Sequence, residues 1–381
     1  MPNKKTNNSP PRVDEAPTGP RRFITQHRGP SDKIAADSRI VHQFLPDEFA
    51  RPGSSTSYTP TEIFSCLHDE VHWHELFSGK KAVQRLVCTQ GAVDRANDCE
   101  PIYRHVADQV PPISSFSPFV EVIRKRAEEL CGHPLNHALI QLYRGGGDHI
   151  GQHSDKTLDI VRSSSIVNVS FGAERTMTLT EKSRYAKLDA TTEADLEEVD
   201  LDKYGNPLKA KGDKKGQKGQ KKKGARHAQL EEQDSKKGPM QPLQVQEVTM
   251  PHNSMFIMGP ETNKRWFHAI HAQQPSKKGV VDPFGGARIS LTFRHIGTFT
   301  DHARTRIWGQ GATSKTHEGA RPVVNNNNQL GAPLLKAFGL ENQDPDFDWD
   351  KEYGRGFDVL HFRDSWKVKD MSTGLTGDVA R

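Results

Sequence analysis

Apolar positions in the first third of the chain recur at the three- and four-residue spacing of amphipathic helices. A first helix is predicted to begin after Thr59, because Pro60 follows it and Glu62 stands at the third position of a capping box. A second helix is predicted to begin after Ser117 and to end at Gly132. Each has one apolar stripe, formed by Ile63, Leu67 and Val71 in the first and by Phe119, Ile123, Ala127 and Leu130 in the second. Both helices are expected to buttress a sheet.

From His137 the pattern changes to short runs rich in β-branched and aromatic residues, with turn residues between them. The runs are HALIQLY from His137, SIVNVSFG from Ser165, ERTMTLT from Glu174, VQEVTM from Val245, SMFIMG from Ser254, RWFHAIHA from Arg265 and ARISLTFR from Ala287. No helical pattern of useful length separates them, which argues against a doubly wound α/β sheet. Several short strands joined by turns are typical of a sandwich or barrel.

Three segments lack both patterns. Residues 1–37 are rich in Pro, Asn, Lys and Arg and are predicted to form a disordered tail. Between about 182 and 243, an acidic stretch and a lysine-rich run interrupt the strands, and this composition predicts a disordered insertion. Residues 38–300 are then expected to form one domain, and 301–381 a C-terminal extension. In that extension the run from Asn325 to Asn328 is predicted to be a plain spacer. An aromatic patch from Phe347 is expected to dock on the core, and no catalytic role is assigned to it.

Composition fits one core with extensions. Of 381 residues, 33% are hydrophobic, and 24 Pro and 31 Gly indicate that much of the chain lies outside a packed core. A net charge of +5 is compatible with an anionic partner. Cys66, Cys88, Cys99 and Cys131 form no C-x-x-C pair and no zinc spacing, which favours reduced structural thiols. No signal peptide or membrane span is recognisable, so an intracellular protein, nuclear or cytoplasmic, is expected.

Candidate metal ligands follow the run HALIQLY and a glycine-rich turn. His153 and Asp155 are two residues apart, so in extended chain their side chains lie on one face and can bind one ion. Two imidazoles and one carboxylate form the ligand set of a mononuclear Fe(II) that keeps open positions for O2. Among 18 histidines a single H-x-D is expected by accident, and a surface pair is the alternative interpretation. Further along the chain, His268 and His271 are available as the third ligand.

The run from Ala287 alternates strictly between polar and apolar residues. Its polar residues share one face of the strand: Arg288, Ser290, Thr292 and Arg294. Its apolar residues share the other: Ile289, Leu291 and Phe293. The apolar face is expected to pack and the polar face to line a site, with a solvated edge strand as the alternative. The two arginines lie about 20 Å apart at Cα, so their side chains can converge on a small dicarboxylate.

Four segments resemble the sequential motifs of the AlkB-like dioxygenases and follow in the same order: LIQLYRGGGDHIGQHSDKT, NVSFGAERTMTL, HAIHA and RISLTFRHIG. The resemblance covers roughly residues 60–300 outside the insertion. The resemblance implies an α+β fold, with a double-stranded β-helix (jelly-roll) core buttressed by helices. It also implies an oxidoreductase that uses Fe(II), 2-oxoglutarate and O2. The implied reaction is oxidative demethylation of alkylated bases in DNA or RNA, with release of formaldehyde, succinate and CO2. We expect a monomer that acts on flipped or single-stranded bases.

The resemblance assigns roles to individual residues. It implies His153, Asp155 and His268 as iron ligands, and it implies that Arg288 and Tyr143 bind the distal carboxylate of 2-oxoglutarate. Arg294 would lie near the keto-acid end and the iron-bound carboxylate. Gln141 and Ser290 stand where the family often has asparagine, and both are expected to contact the cosubstrate. His268 is preferred to His271 because F-H-A-I matches the family signature, which leaves His271 at the surface or in a supporting position.

The substrate and the lysine-rich run leave alternatives open. Related repair enzymes tend to have acidic residues just after H-x-D, whereas this chain has Lys156-Thr157-Leu158, with Asp159 as the nearest substitute. Tyr103 is a candidate for stacking on a base, with core packing as the alternative. The run from Lys209 to Lys223 could bind phosphates, act as a nuclear import signal or be a solvated loop. Two other functions remain open: a dioxygenase of the same fold acting on a protein or small metabolite, and a catalytically inactive nucleic-acid-binding module.

Overall fold

The computed structural model describes residues 21–24, 34–46, 49–50, 57–78, 81–105, 111–182, 244–273, 282–362, 368–370 and 376–377. The helices are α1 (Pro60–Glu70), α2 (Pro118–Cys131), α3 (Pro260–Arg265), α4 (Asn328–Gln343) and α5 (Trp349–Tyr353). The strands are β1 (Arg21–Ile24), β2 (Arg39–His42), β3 (Phe49–Ala50), β4 (Ser57–Tyr58), β5 (His74–Ser78), β6 (Lys81–Gly91), β7 (Glu100–Pro101), β8 (Ile113–Ser115), β9 (His137–Tyr143), β10 (Ile150–His153), β11 (Ile166–Gly172), β12 (Arg175–Glu181), β13 (Val245–Met250), β14 (Ser254–Met258), β15 (Trp266–Ile270), β16 (Arg288–Arg294), β17 (Thr298–Thr300), β18 (Arg306–Gly309), β19 (Arg321–Pro322), β20 (Val324–Asn325), β21 (Val359–His361), β22 (Val368–Asp370) and β23 (Thr376–Gly377). Within these ranges, no helix is both long and apolar enough to cross a membrane.

The eight consecutive strands β9 to β16 form two sheets packed on one another. The order is β14-β11-β16-β9 in the larger sheet and β13-β12-β15-β10 in the smaller. Neighbouring strands within these two sets all run antiparallel. The chain therefore passes repeatedly from one sheet to the other, which is the double-stranded β-helix. The α+β jelly roll predicted from the sequence is confirmed.

Apolar side chains fill two layers, one on each face of the larger sheet. The outer layer packs α1 and α2 against β9, β11 and β16, with Ile63, Ile123, Ile140, Val169 and Leu291 among its buried members. The inner layer lies between the two sheets and includes Ile166, Leu179, Val248, Phe256 and Ile270. Apolar residues of β16 face the helices, so the polar residues of that strand face the space between the sheets.

Both predicted helix starts are confirmed, and each is capped differently. Thr59 and Glu62 form the capping box, in which the Glu62 amide donates to the Thr59 hydroxyl at 3.3 Å. Ser117 instead donates its hydroxyl to the Glu70 carboxylate at 2.6 Å, and the same carboxylate accepts the Phe119 amide at 3.0 Å. The last residue of α1 therefore caps the start of α2, which fixes the angle between the two buttressing helices.

The described parts of both chain ends contain regular elements. Within the N-terminal 37 residues, β1 pairs with β13, and Ile34 is buried in the inner layer. At the other end, the Asn327 side chain accepts the Leu330 amide at 3.0 Å and caps α4, while Asn325 belongs to β20. The plain spacer predicted at 325–328 is thus wrong, because an asparagine side chain makes a good helix cap. Of the insertion predicted at about 182–243, residues 183–243 lie outside the described residues.

The aromatic patch from Phe347 docks on the core, as predicted. It joins α4 and α5 in an apolar cluster formed by Leu158, Leu334, Ala337, Phe338, Phe347, Tyr353, Val359 and Phe362. Leu158 belongs to the loop after the H-x-D motif, whereas the other members come from the C-terminal extension. The extension therefore packs directly on the segment that follows the candidate metal ligands.

Candidate metal centre

Strand pairing brings the candidate ligands together. His153 is the last residue of β10 and lies opposite His268 of β15 in the antiparallel register. The Asp155 Oδ1 atom is 3.8 Å from His153 Nε2 and 3.8 Å from His268 Nε2. The three ligand atoms lie within 4.8 Å of one another. A metal with bonds of about 2.1 Å can span such distances with small side-chain adjustments.

The charges in this cluster suit a divalent cation. Burial, with the neighbouring His268, lowers the pKa of His153 well below its ordinary value, and burial also lowers the pKa of His268. For Asp155, burial opposes the charge, but the Arg294 guanidinium outweighs it and holds the pKa well below its usual range. Two neutral imidazoles and one carboxylate are the protonation states in which these groups bind metals.

Hydrogen bonds around the ligands fix their orientation. His153 Nδ1 lies 2.8 Å from the Gly151 carbonyl oxygen, which leaves Nε2 as the nitrogen for a metal. Arg294 donates to Asp155 Oδ2 through Nη2 at 2.6 Å and through Nε at 3.0 Å, so Oδ1 faces the histidines. Asn263 of α3 binds the Asp155 backbone on both sides, accepting its amide and donating to its carbonyl at 2.9 Å each.

A buried guanidinium lies in the same cavity. Arg288 is 1% exposed, and its Nη2 donates to Ser170 Oγ at 2.7 Å and to Asn168 Oδ1 at 3.1 Å. Its Nε and Nη1 atoms form no hydrogen bond with the described residues. Burial, together with the neighbouring Arg175 guanidinium, lowers the pKa of Arg288 to about 10. A buried cation with two donors left free by the described residues can bind an anion.

The cavity connects the metal ligands with Arg288. Its volume of about 170 Å³ compares with roughly 10–15 Å³ for one water by this measure, so a keto acid of about ten non-hydrogen atoms fits. All eight residues predicted as iron ligands or as keto-acid contacts line it: His153, Asp155, His268, Gln141, Tyr143, Arg288, Ser290 and Arg294. The register of β9 and β16 explains part of this, since Tyr143 is opposite Arg288 and Gln141 is opposite Ser290. Their individual roles remain predictions.

Sequence reasoning missed several residues of this site. Asn168 and Ser170 of β11 hold Arg288, and Asn168 also donates to Ser290 Oγ at 2.8 Å and Thr292 Oγ1 at 3.0 Å. A signal for both exists in the run IVNVSFG, where they alternate with core residues and so share the face of β11 opposite the helices. For Asn263, which precedes the run WFHAI, no comparable local signal exists.

Three further predicted residues have definite positions. Asp159 does not line the cavity: it is 1% exposed and forms an ion pair with Arg104 at 2.6 Å, so its prediction as the acidic contact to a base is wrong. His271 is exposed, as its prediction as a surface residue required. Tyr103 lines the cavity with the Arg294 guanidinium 4.0 Å from its ring centroid, and its hydroxyl accepts the Lys156 amide at 3.0 Å. These contacts favour packing at Tyr103.

The donor set fits iron. Two histidines and one aspartate on one side of a cavity, with open space opposite, match the ligand arrangement of non-haem Fe(II) oxygenases. Next to this triad, Arg294 has one nitrogen, Nη1, that forms no hydrogen bond with the described residues. Both ends of an extended dicarboxylate thus have a candidate partner, the metal and Arg294 at one end and Arg288 at the other.

Comparisons with known proteins agree with this geometry. A family model described as the 2OG-Fe(II) oxygenase superfamily matches residues 40–294, more than half of the chain. The DNA oxidative demethylase ALKBH2 of Mus musculus is 27% identical over 179 residues, covering 47% of this chain and 51% of that protein. Its Homo sapiens counterpart is 26% identical over 239 residues, covering 62% and 68%. The Homo sapiens alpha-ketoglutarate-dependent dioxygenase alkB homolog 3 is 32% identical over 80 residues, covering 21% and 28%. The chain thus spans about half the length of the mouse relative.

Proposed function

This chain belongs to the 2OG-Fe(II) oxygenase superfamily as an AlkB-like member, and we propose that it oxidatively demethylates alkylated bases in DNA or RNA. The superfamily uses Fe(II), 2-oxoglutarate and O2. The proposed reaction converts 2-oxoglutarate, O2 and an N-methyl base into succinate, CO2, formaldehyde and the unmodified base. The observation that carries the proposal is the shared cavity of a His-Asp-His triad and a buried guanidinium that has no carboxylate partner among the described residues.

The chain would hold Fe(II) through His153 Nε2, Asp155 Oδ1 and His268 Nε2. Bound Fe(II) would supply O2 activation, which couples decarboxylation of the keto acid to oxidation of the substrate methyl group. The protein's own contribution at this end is orientation. Arg294 keeps one carboxylate oxygen of Asp155 occupied, and Gly151 keeps His153 in one tautomer, so the ligands are arranged before the metal binds.

Arg288 would bind the far carboxylate of 2-oxoglutarate. Its Nε and Nη1 donors bind none of the described residues, while Ser170 and Asn168 hold Nη2 and thereby fix the plane of the guanidinium. The Tyr143 ring forms one wall of this subsite, and its centroid lies 5.3 Å from the central guanidinium carbon of Arg288. A planar fork fixed in this way favours a dicarboxylate over a monocarboxylate, because only the dicarboxylate places a second charge at this depth.

Apolar side chains complete the cavity and would exclude water from the reacting groups. Those that line it are Leu139, Ile150, Ile166, Met177, Phe256, Met258 and Ile270. A dry cavity strengthens the electrostatic contacts of both arginines and limits wasteful side reactions. It also requires that a base within a duplex be flipped out before its methyl group can reach the metal.

The names of the relatives support nucleic acid as the substrate class. The mouse and human ALKBH2 proteins are named DNA oxidative demethylases. The alternative within the enzyme class is a dioxygenase that acts on a protein or a small metabolite, and it requires the same metal and keto-acid residues. The alternative outside this class, an inactive nucleic-acid-binding module, would have no need for the cluster of His153, Asp155 and His268.

A substrate panel with the purified full chain tests the proposal. The chain is incubated with Fe(II), 2-oxoglutarate and O2, together with oligonucleotides carrying N1-methyladenine or N3-methylcytosine in single-stranded DNA, duplex DNA or RNA. Methylated peptides and unmethylated oligonucleotides are run in parallel. Formaldehyde and succinate are measured, and Asp155→Ala is compared with Asp346→Ala, a change at an exposed aspartate outside the cavity.

We expect formaldehyde and succinate in equal amounts from at least one methylated oligonucleotide, no turnover by Asp155→Ala and normal turnover by Asp346→Ala. Turnover with peptides but with no nucleic acid would replace the proposal with the first alternative. Binding of nucleic acid without succinate from any substrate would replace it with the second.

A further inference from the structure

The C-terminal extension contacts the turn that carries the metal ligands. Asn342, in the last turn of α4, is 1% exposed and lines the cavity. Its Oδ1 atom accepts the Ser154 amide at 3.1 Å, the Ser154 hydroxyl at 3.3 Å and the Lys156 ammonium at 3.1 Å. Ser154 and Lys156 flank Asp155 on either side. One amide oxygen therefore binds both neighbours of the candidate ligand.

Glu341, the residue before, binds the next position of the turn. Its carboxylate accepts the Thr157 amide at 2.9 Å and also the Thr157 hydroxyl. The hydroxyl of Tyr353 in α5 donates to the other carboxylate oxygen at 2.7 Å, which fixes the Glu341 side chain. Just after β12, Lys182 donates to the Glu341 carbonyl oxygen at 2.8 Å. A cation at this position is favourable because the carbonyls at a helix C-terminus are partly negative.

The same extension holds the end of the turn. Leu158 is fully buried in the apolar cluster of α4 and α5. Asp159 is paired with Arg104, which in turn donates to the carbonyl oxygens of Gly311, Phe357 and Val359. Each residue from Ser154 to Asp159 other than Asp155 is therefore held by the extension, directly or through Arg104.

This arrangement gives the extension a consequence for metal binding. The match to the superfamily ends at residue 294, so the acceptors on α4 lie outside the part of the chain shared with the family model. Asn342 and Glu341 accept hydrogen bonds from the backbone amides of Ser154 and Thr157 and from the Lys156 ammonium. Without these acceptors, the extension would no longer hold the turn in one conformation. A ligand on a turn that is not held must be ordered when the metal binds, which weakens the affinity.

We propose that Asn342 and Glu341 are positioning residues of the metal centre, and that the C-terminal extension is part of that centre. The proposal rests on the proposed function only in that His153, Asp155 and His268 bind a metal. Asn342 acts through Ser154 and Lys156, and Glu341 acts through Thr157. Neither residue is assigned a contact with the metal.

Metal affinity tests this directly, without turnover. Co(II), a redox-stable substitute for Fe(II), is titrated into the metal-free full chain and followed by calorimetry and visible absorption. Asn342→Leu keeps the size but removes the acceptor, Asn342→Asp keeps an acceptor oxygen, and Lys336→Ala changes an exposed residue of the same helix. We expect Asn342→Leu to weaken Co(II) binding about 10- to 100-fold, and Asn342→Asp to stay within about 3-fold of the wild type, as does Lys336→Ala.

A second variant distinguishes a local loss of positioning from general unfolding. Thr157→Val removes only the hydroxyl that donates to Glu341 and leaves α4 unchanged, and we expect it to weaken Co(II) binding about 3- to 10-fold. Thermal unfolding of each metal-free variant is recorded alongside. Wild-type Co(II) affinity in both Asn342→Leu and Thr157→Val would overturn the inference and leave the proposed function intact. If the wild-type chain itself binds no Co(II) or Fe(II), the metal assignment fails first and the proposed function fails with it.

Discussion

Replacing Arg288 with methionine removes the buried guanidinium and keeps a side chain of similar length. Removing one partner of a buried, hydrogen-bonded charge pair costs about 3–5 kcal/mol. Since about 1.4 kcal/mol corresponds to a factor of ten, the KM for 2-oxoglutarate should rise by roughly two to four orders of magnitude. Arg288→Lys should have a KM between those of the wild type and Arg288→Met, because lysine keeps the charge but lacks the planar guanidinium.

The assay is succinate formation at increasing 2-oxoglutarate with a fixed methylated oligonucleotide, and Arg162→Met, at a half-exposed arginine outside the cavity, is the control. A monocarboxylate keto acid, 2-oxopentanoate, sharpens the test. Wild type should strongly prefer the dicarboxylate, and Arg288→Met should lose most of that preference. An unchanged KM together with an unchanged preference would refute the assignment of Arg288 to the far carboxylate.

The same substitution should leave the stability of the metal-free chain largely unchanged. Losing the hydrogen bonds to Asn168 and Ser170 is unfavourable, whereas removing a buried, unpaired charge is favourable. Urea unfolding measures the net effect of both changes on the free energy of unfolding. A large loss of free energy of unfolding would indicate a structural rather than a binding role for Arg288.

Three further predictions concern other parts of the chain. Asp155→Ala should abolish iron retention, measured as bound iron after gel filtration, together with succinate formation; wild-type iron content would show that Asp155 is not a ligand. Asp159→Asn should lower the free energy of unfolding by about 3–5 kcal/mol because it leaves Arg104 buried without its partner, whereas Asp350→Asn, in an exposed ion pair, should cost about 1 kcal/mol or less. Urea unfolding measures both losses of free energy of unfolding, and equal losses in the two variants would contradict the argument from burial. Deleting residues 205–240 should leave iron binding intact but weaken DNA binding at low salt, and unchanged affinity across a salt series would reduce this segment to a spacer.

Local patterns were sufficient to predict the central fold and much of the site. The alternation in RISLTFR places Arg288 and Arg294 on the face between the sheets, and β16 has that orientation because its apolar residues pack under α1 and α2. The capping box at Thr59 likewise depends on neighbours three residues apart, so it is readable from the sequence alone.

The contacts that sequence reasoning missed join distant parts of the chain. Asn342 binds Ser154 across 188 positions, and no periodicity in a single sequence links the two. Asp159 was misassigned for the same reason, because its partner Arg104 lies 55 positions earlier and removes it from the cavity. The sequence predicted that the aromatic patch from Phe347 docks on the core, but it did not predict contact with Leu158, because that contact also joins distant parts of the chain.

The most direct test of this account is the position of iron in anaerobic crystals grown with Fe(II) and 2-oxoglutarate. Anomalous scattering at the iron edge should give one strong peak bonded to His153 Nε2, Asp155 Oδ1 and His268 Nε2, with density for the far carboxylate against Arg288. A peak bonded elsewhere, or keto-acid density away from Arg288, would contradict the account.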